Sequence, residues 1–156
     1  MDKLLKLVKH FEGCKLTSYQ DTGGVWTIGY GETAGVTRGM KISQEIADVL
    51  LKSRLTGLLE VVQTLTNNEL NQNAEYAVTS LVYNIGVGAF ERSTLLKLIL
   101  KSVDTTPTES PEMCDLITKE IKRWNKDNGK VLPGLVRRRA AEVTLFMTGA
   151  LVLDPS

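Results

Sequence analysis

The stretch Phe11-Glu12-Gly13, then Asp21-Thr22-Gly23-Gly24-Val25-Trp26-Thr27-Ile28 and Gly29-Tyr30-Gly31-Glu32-Thr33, is where the chain changes period. Before it, Leu4, Leu7, Val8 and Phe11 recur at helical spacing, so residues from about Lys3 to Glu12 read as a short amphipathic helix. Gly13 suits the position just past its end, where a left-handed backbone is favoured. After it, Leu16 to Ile42 is rich in Thr, Tyr, Trp, Val and Gly. Asp21 to Gly24 reads as a turn and Val25 to Ile28 as a strand, which predicts a small hairpin or three-stranded sheet.

Outward from this segment the pattern is helical almost to the end. Ser43 is placed to cap a helix with Ile46, Val49, Leu50, Leu58 and Val62 on its apolar face. Thr66 and Glu69 have capping-box spacing and predict the start of a helix carrying Ala74, Ala77, Val78, Leu81, Val82 and Ile85. Nearly every inward position of that helix is apolar, which marks it as the central one. Ser93 predicts a short capped helix to Leu100, and residues 101–110 an exposed loop. Ser110-Pro111-Glu112 then opens a helix to about Lys126, with Met113, Ile117, Ile121 and Trp124 inward. A last helix runs from about Leu135 to Thr148 and ends at Gly149. The expected fold is α+β, mainly α, in one domain over residues 1–156. A small β lobe (about 13–65) faces a larger helical lobe (1–12 and 66–156) across a cleft.

With 156 residues and 42% hydrophobic residues, a single core can form without a metal or disulfide staple. Apolar runs are far shorter than the roughly 20 residues a membrane span needs, and the charged start Met-Asp-Lys-Leu-Leu-Lys is not a signal peptide. Cys14 and Cys114 have no metal-ligand spacing and read as reduced structural thiols. Net charge is +1, yet residues 119–139 carry eight basic side chains against Glu120 and Asp127. That asymmetry suits an anionic partner, or a solvated helical face on which Arg137, Arg138 and Arg139 pair with neighbours such as Glu142.

Two carboxyl groups fall in contrasting places. Glu12 ends a helix, where the macrodipole disfavours an anion and favours a proton-holding acid. Asp21 opens a wet turn, where a carboxylate stays ionised. Such a pair divides into acid and base; alone, it is equally a helix-end residue and a turn former.

The pattern Glu12-x8-Asp21-x5-Thr27, followed by Ile28-Gly29-Tyr30-Gly31, resembles the catalytic signature of phage-type lysozymes, the endolysin family of glycoside hydrolases. Further blocks match in order: Leu70 to Asn73 with Ala77 and Val78, Tyr83 to Phe90 with Ser93 to Leu96, Arg123-Trp124, and Gly129 to Phe146. The resemblance covers nearly the whole chain. It implies a lysozyme-like fold and hydrolysis of the β-1,4 bond between N-acetylmuramic acid and N-acetylglucosamine in peptidoglycan. Glu12 is then the general acid, and Asp21 and Thr27 position and activate the attacking water. An inverting reaction of that kind sets the carboxyls roughly 6.5–9.5 Å apart. Tyr30, Glu32, Asn84, Ser93 and Arg123 match cleft positions, with Arg123 suited to a stem-peptide carboxylate. No cofactor and no metal is expected, and the chain is expected to be a monomer. The implied setting is the host cytoplasm until release to the cell wall, with the basic segment free to contact the anionic envelope.

The chain departs from the family at Glu32, where members commonly carry His. A carboxylate there either raises the proton affinity of Glu12 or pairs with a base such as Arg38. Two other classes compete with the enzyme: an impaired lysozyme-fold scaffold that only binds glycan, and a nucleic-acid binder built on residues 119–139. Retention of Glu12, Asp21 and Thr27 together argues against the first. Trp124 as the sole interleaved aromatic argues against the second. His10 is read as a polar-face residue without a catalytic role.

Overall fold

The computed structural model describes residues 1–101 and 110–154; the loop expected over 101–110 therefore lies almost wholly outside the described residues. The chain order is α1 (Asp2–Glu12), β1 (Lys15–Gln20), β2 (Trp26–Gly29), α2 (Gln44–Leu65), α3 (Gln72–Ile85), α4 (Val87–Glu91), α5 (Thr94–Leu100), α6 (Pro111–Lys122), β3 (Lys126–Asp127), β4 (Lys130–Val131) and α7 (Pro133–Thr148). This is the helix-rich α+β layout expected, with seven helices and two two-stranded sheets among the described residues.

Helix α3 is the centre, packed on α7, α2 and α1. Residues Tyr76 to Tyr83 are buried without interruption, so the helix is covered on all sides. Its cap is Asn71, whose side chain accepts from the amide of Ala74 at 2.9 Å. The Thr66–Glu69 capping box does not form. Thr66 instead closes α2 as a fully buried residue, its hydroxyl donating to the Val62 carbonyl at 2.8 Å.

Ser43 caps α2 as expected, accepting from Ile46, but the helix is turned about its axis relative to the expected face. Ala47, Leu51, Leu55 and Val62 are buried, whereas Ile46, Val49 and Leu50 are exposed. The buried face is the one that α2 turns to α3 and β2, its two main packing partners; there Ala47 meets Gly29 of β2 at ordinary contact distance, 3.8 Å from where a Cβ would stand.

Ser93 and Ser110 cap α5 and α6 as expected. Helix α6 stops at Lys122, four residues earlier than its apolar spacing suggests, because Lys126–Asp127 and Lys130–Val131 form a hairpin. The turn is Asn128-Gly129, both with positive φ, the dipeptide that favours a two-residue hairpin turn. Helix α7 ends at Gly149 in the left-handed region at φ 73°, where any Cβ would meet Asn73 Nδ2 at 2.7 Å.

Candidate active site

Glu12 is the last residue of α1, and its side chain is 23% exposed. Helix α1 buries Leu4, Leu7 and Val8 against the core, which fixes the rotation that presents Glu12 at the surface. Its Oε1 accepts from Arg138 Nη1 at 2.5 Å, and its Oε2 has no hydrogen-bond partner among the described residues. Glu12 borders two cavities. One of about 210 Å³ is lined by Glu12, Gly13, Cys14, Lys15, Tyr19, Gly29 and Gly31. The other, of about 550 Å³, runs past Phe11 and Asn84 to Leu132, Leu135 and Arg137. The glycines at 29 and 31 leave the backbone bare beside Glu12, where a bulky substrate can approach.

The helix end is not the whole environment of Glu12: its partner Arg138 comes from α7 and is only 3% exposed. The guanidinium is shared: Nε stands 3.3 Å from Glu142 Oε1, and Nη2 donates to the Ser80 carbonyl at 3.1 Å. Beside it, Arg139 Nη2 donates to Glu142 Oε1 at 2.9 Å and Nη1 to Asn84 Oδ1 at 3.0 Å. The Ser80 hydroxyl donates to Glu142 at 2.7 Å. Glu142 and Arg139 are wholly buried. Two of the eight basic residues are thus core groups with a fixed counter-charge, and the solvated basic face is smaller than the sequence indicates.

In the hairpin, exposed Asp21 accepts at Oδ1 from the amides of Gly23 and Val25, both at 2.9 Å, and its Oδ2 has no hydrogen-bond partner among the described residues. Thr27 is buried and its hydroxyl donates to the Val25 carbonyl at 3.0 Å. Pairing of Tyr19 with Thr27 and of Gln20 with Trp26 brings the turn and the strand together. Neither Asp21 nor Thr27 lines the two cavities at Glu12; they sit on the hairpin whose Tyr19 and Gly29 do.

The other expected residues are spread out. Tyr30 is buried, its hydroxyl donating to Asp48 at 3.1 Å and accepting from Gln44 at 3.0 Å; burial pushes its phenol above the ordinary value. Ser93 is likewise buried, its oxygen occupied by the α5 cap and the Phe90 carbonyl. Tyr30 stands behind the surface, whereas Ser93 reaches it only at the wall of a cavity. Glu32 does not meet Arg38: its carboxylate lies 3.8 Å from Arg54. Burial raises the Glu32 pKa, with Arg54 opposing. Asn84 is exposed and borders the larger cavity. Arg123 is exposed, paired with Glu120 at 3.0 Å, and borders a separate cavity of about 440 Å³ with Ser93 and Trp124. His10 meets Asp154 at 3.1 Å. Arg54 and Ser80 had no sequence signal, and Tyr83 had one only as part of the matching block from Tyr83 to Phe90, since each acts through partners distant in the chain. No group of three or more His, Cys, Asp or Glu able to hold a metal occurs among the described residues.

The family model for phage lysozyme matches residues 9–142. The endolysin of Acyrthosiphon pisum secondary endosymbiont phage 1 is 39% identical over 93% of this chain and 95% of its own length. The endolysin of Salmonella phage P22 is 39% identical over 90% and 92%. Among solved structures, the muramidase domain of SpmX from Asticcacaulis excentricus superposes with a TM-score of 0.81 at 32% identity, covering 95% of this chain and 97% of that one.

Proposed function

The chain belongs to the phage lysozyme family and is a peptidoglycan-hydrolysing enzyme, and from that premise we propose how its residues cut the glycan. The bond is the β-1,4 link between N-acetylmuramic acid and N-acetylglucosamine. Glu12 is the general acid: with Oε1 held by Arg138, Oε2 carries the proton to the leaving glycosidic oxygen. Asp21, one oxygen fixed by two amides, uses Oδ2 to take a proton from water as it attacks the anomeric carbon. Thr27 orients that water. The reaction is a single displacement with inversion, for which the carboxyls need room for one water between them.

Asn84 contacts the glycan on the helical side, and the cavity at Ser93 and Arg123 takes a stem-peptide carboxylate, for which Arg123 exchanges its Glu120 contact. Tyr30 and Glu32 act from behind the surface. The observation that carries this reading is Glu12 in the wall of two cavities, one of its oxygens held by a buried guanidinium. Mass analysis of digested peptidoglycan tests it. Wild-type protein releases fragments ending in a free reducing muramic acid, and Glu12→Gln lowers that release by at least about a thousandfold while remaining folded. Glu12→Gln with wild-type activity removes Glu12 from the chemistry.

A further inference from the structure

The turn Tyr30-Gly31-Glu32 is held from beneath by two helices. Arg54 of α2 donates Nη1 to the Gly31 carbonyl at 3.2 Å and to the Tyr83 hydroxyl at 3.2 Å. Its guanidinium also lies over the Tyr83 ring, 4.3 Å from the centroid. Tyr83, on α3, donates its own hydroxyl to the Tyr30 carbonyl. Gly31 has φ 103°, and a Cβ there would meet the Tyr83 hydroxyl at 3.6 Å.

The turn transmits this hold. Ile28 and Glu32 exchange both backbone hydrogen bonds, at 2.9 and 2.8 Å, so fixing Gly31 fixes Ile28. Ile28 is bonded to Thr27, and β2 pairs with β1 up to Gln20, the residue before Asp21. On the other side, α3 packs on α7, which carries Arg138 to Glu12. We propose that Arg54 is a positioning residue for the reaction, setting where the hairpin that bears Asp21 and Thr27 stands relative to Glu12. This rests on the roles assigned above to those three residues. Arg54 also supplies the positive charge beside half-buried Glu32. The charged and titratable groups around this turn are Lys9 and Glu12 from α1, Cys14 just after it, Asp48 and Arg54 from α2, Tyr83 from α3 and Arg138 from α7.

The test compares wild type, Arg54→Met, Arg54→Met with Glu32→Gln, and Tyr83→Phe, which keeps the ring and removes both hydroxyl bonds. Kinetics are read on soluble uncrosslinked glycan strands, with hydrogen exchange on the same proteins. The expected result is a kcat lower by about 10- to 100-fold in Arg54→Met, the scale of a misplacement near 1 Å. KM stays within threefold, and the amides of Ile28 and Glu32 exchange faster while those of α3 do not. The double variant does not recover kcat, because position rather than charge is lost. Tyr83→Phe falls between, and serves alone should Arg54→Met not fold. A lower melting temperature with unchanged kcat would overturn the proposal by making Arg54 merely structural. Recovery of kcat in the double variant overturns it in favour of charge neutralisation, and a raised KM with unchanged kcat makes Arg54 a binding residue. If wild type releases no reducing muramic acid, the chemical reading fails, while the exchange of Ile28 and Glu32 still decides whether Arg54 holds the turn.

Discussion

Substituting Glu142 with Gln isolates the buried charge behind Glu12. Glu142 is fully buried and is the counter-ion of two guanidiniums: Arg138, 3% exposed, and Arg139, 1% exposed. Gln keeps the shape and can still accept from Ser80, so packing changes little and the charge is what disappears. Arg138 retains Glu12, but Arg139 loses the carboxylate it is paired with and keeps only neutral acceptors, the carbonyl oxygens of Asn84, Trp124 and the new amide. Removing one partner of a buried pair costs about 3–5 kcal/mol, because the remaining charge is stranded in a medium that solvates it poorly. At about 2–4 °C per kcal/mol for a chain of this size, the melting temperature should fall by roughly 6–20 °C. The assay is urea unfolding followed by circular dichroism, with Asp115→Asn as the control. Asp115 pairs with Lys119 at 2.8 Å, yet both side chains are more than 60% exposed, and such a pair is worth about 0–1 kcal/mol. Pairing Arg139→Met with Glu142→Leu should recover much of the loss, since an apolar replacement strands no charge. A loss under about 1 kcal/mol for Glu142→Gln refutes the reasoning, as does a cost equal to that of Asp115→Asn.

Other perturbations reach the local readings. Asn71→Ala should destabilise by about 1 kcal/mol through loss of the α3 cap, and Glu69→Ala by under about 0.5 kcal/mol; denaturant midpoints rank the two, and the reverse order would restore the capping box. Glu32 gives a pH signature. Its folded pKa lies above its unfolded one, so its contribution to stability is fully present below the unfolded value and is lost as pH rises through the folded one. Glu32→Gln should therefore gain in melting temperature relative to wild type between about pH 4 and pH 7. A Glu32→Gln melting temperature that falls relative to wild type as pH rises contradicts the assigned burial.

The helical architecture was legible because local rules and tertiary packing agreed. Ser43, Ser93 and Ser110 cap where their chemistry suggests, and the continuous apolar lining of α3 leaves that helix nowhere but the centre. Helix α2 is apolar on two faces, and periodicity alone does not choose between them; the tertiary packing on α3 and β2 does, burying Ala47, Leu51 and Leu55. The Asn128-Gly129 turn carried a usable signal that the helical spacing through Trp124 masked. At the site, the spacing of Glu12, Asp21 and Thr27 was legible in sequence as a pattern. Their supports were not, since Arg138 meets Glu12 across 126 positions and Arg54 meets Gly31 across 23. No periodicity encodes such pairs.

One side chain, Arg138, serves two masters: its Nη1 holds Glu12, the carboxyl proposed above as the acid, and its Nε belongs to the interior ion cluster. Heat tolerance and turnover are therefore coupled through a single guanidinium. A campaign that selects variants for survival at high temperature will meet this coupling if it replaces the cluster with hydrocarbon. Gains in robustness there should come with slower lysis, whereas changes on the outward face of α2, at Ile46 or Val49, leave the two properties independent.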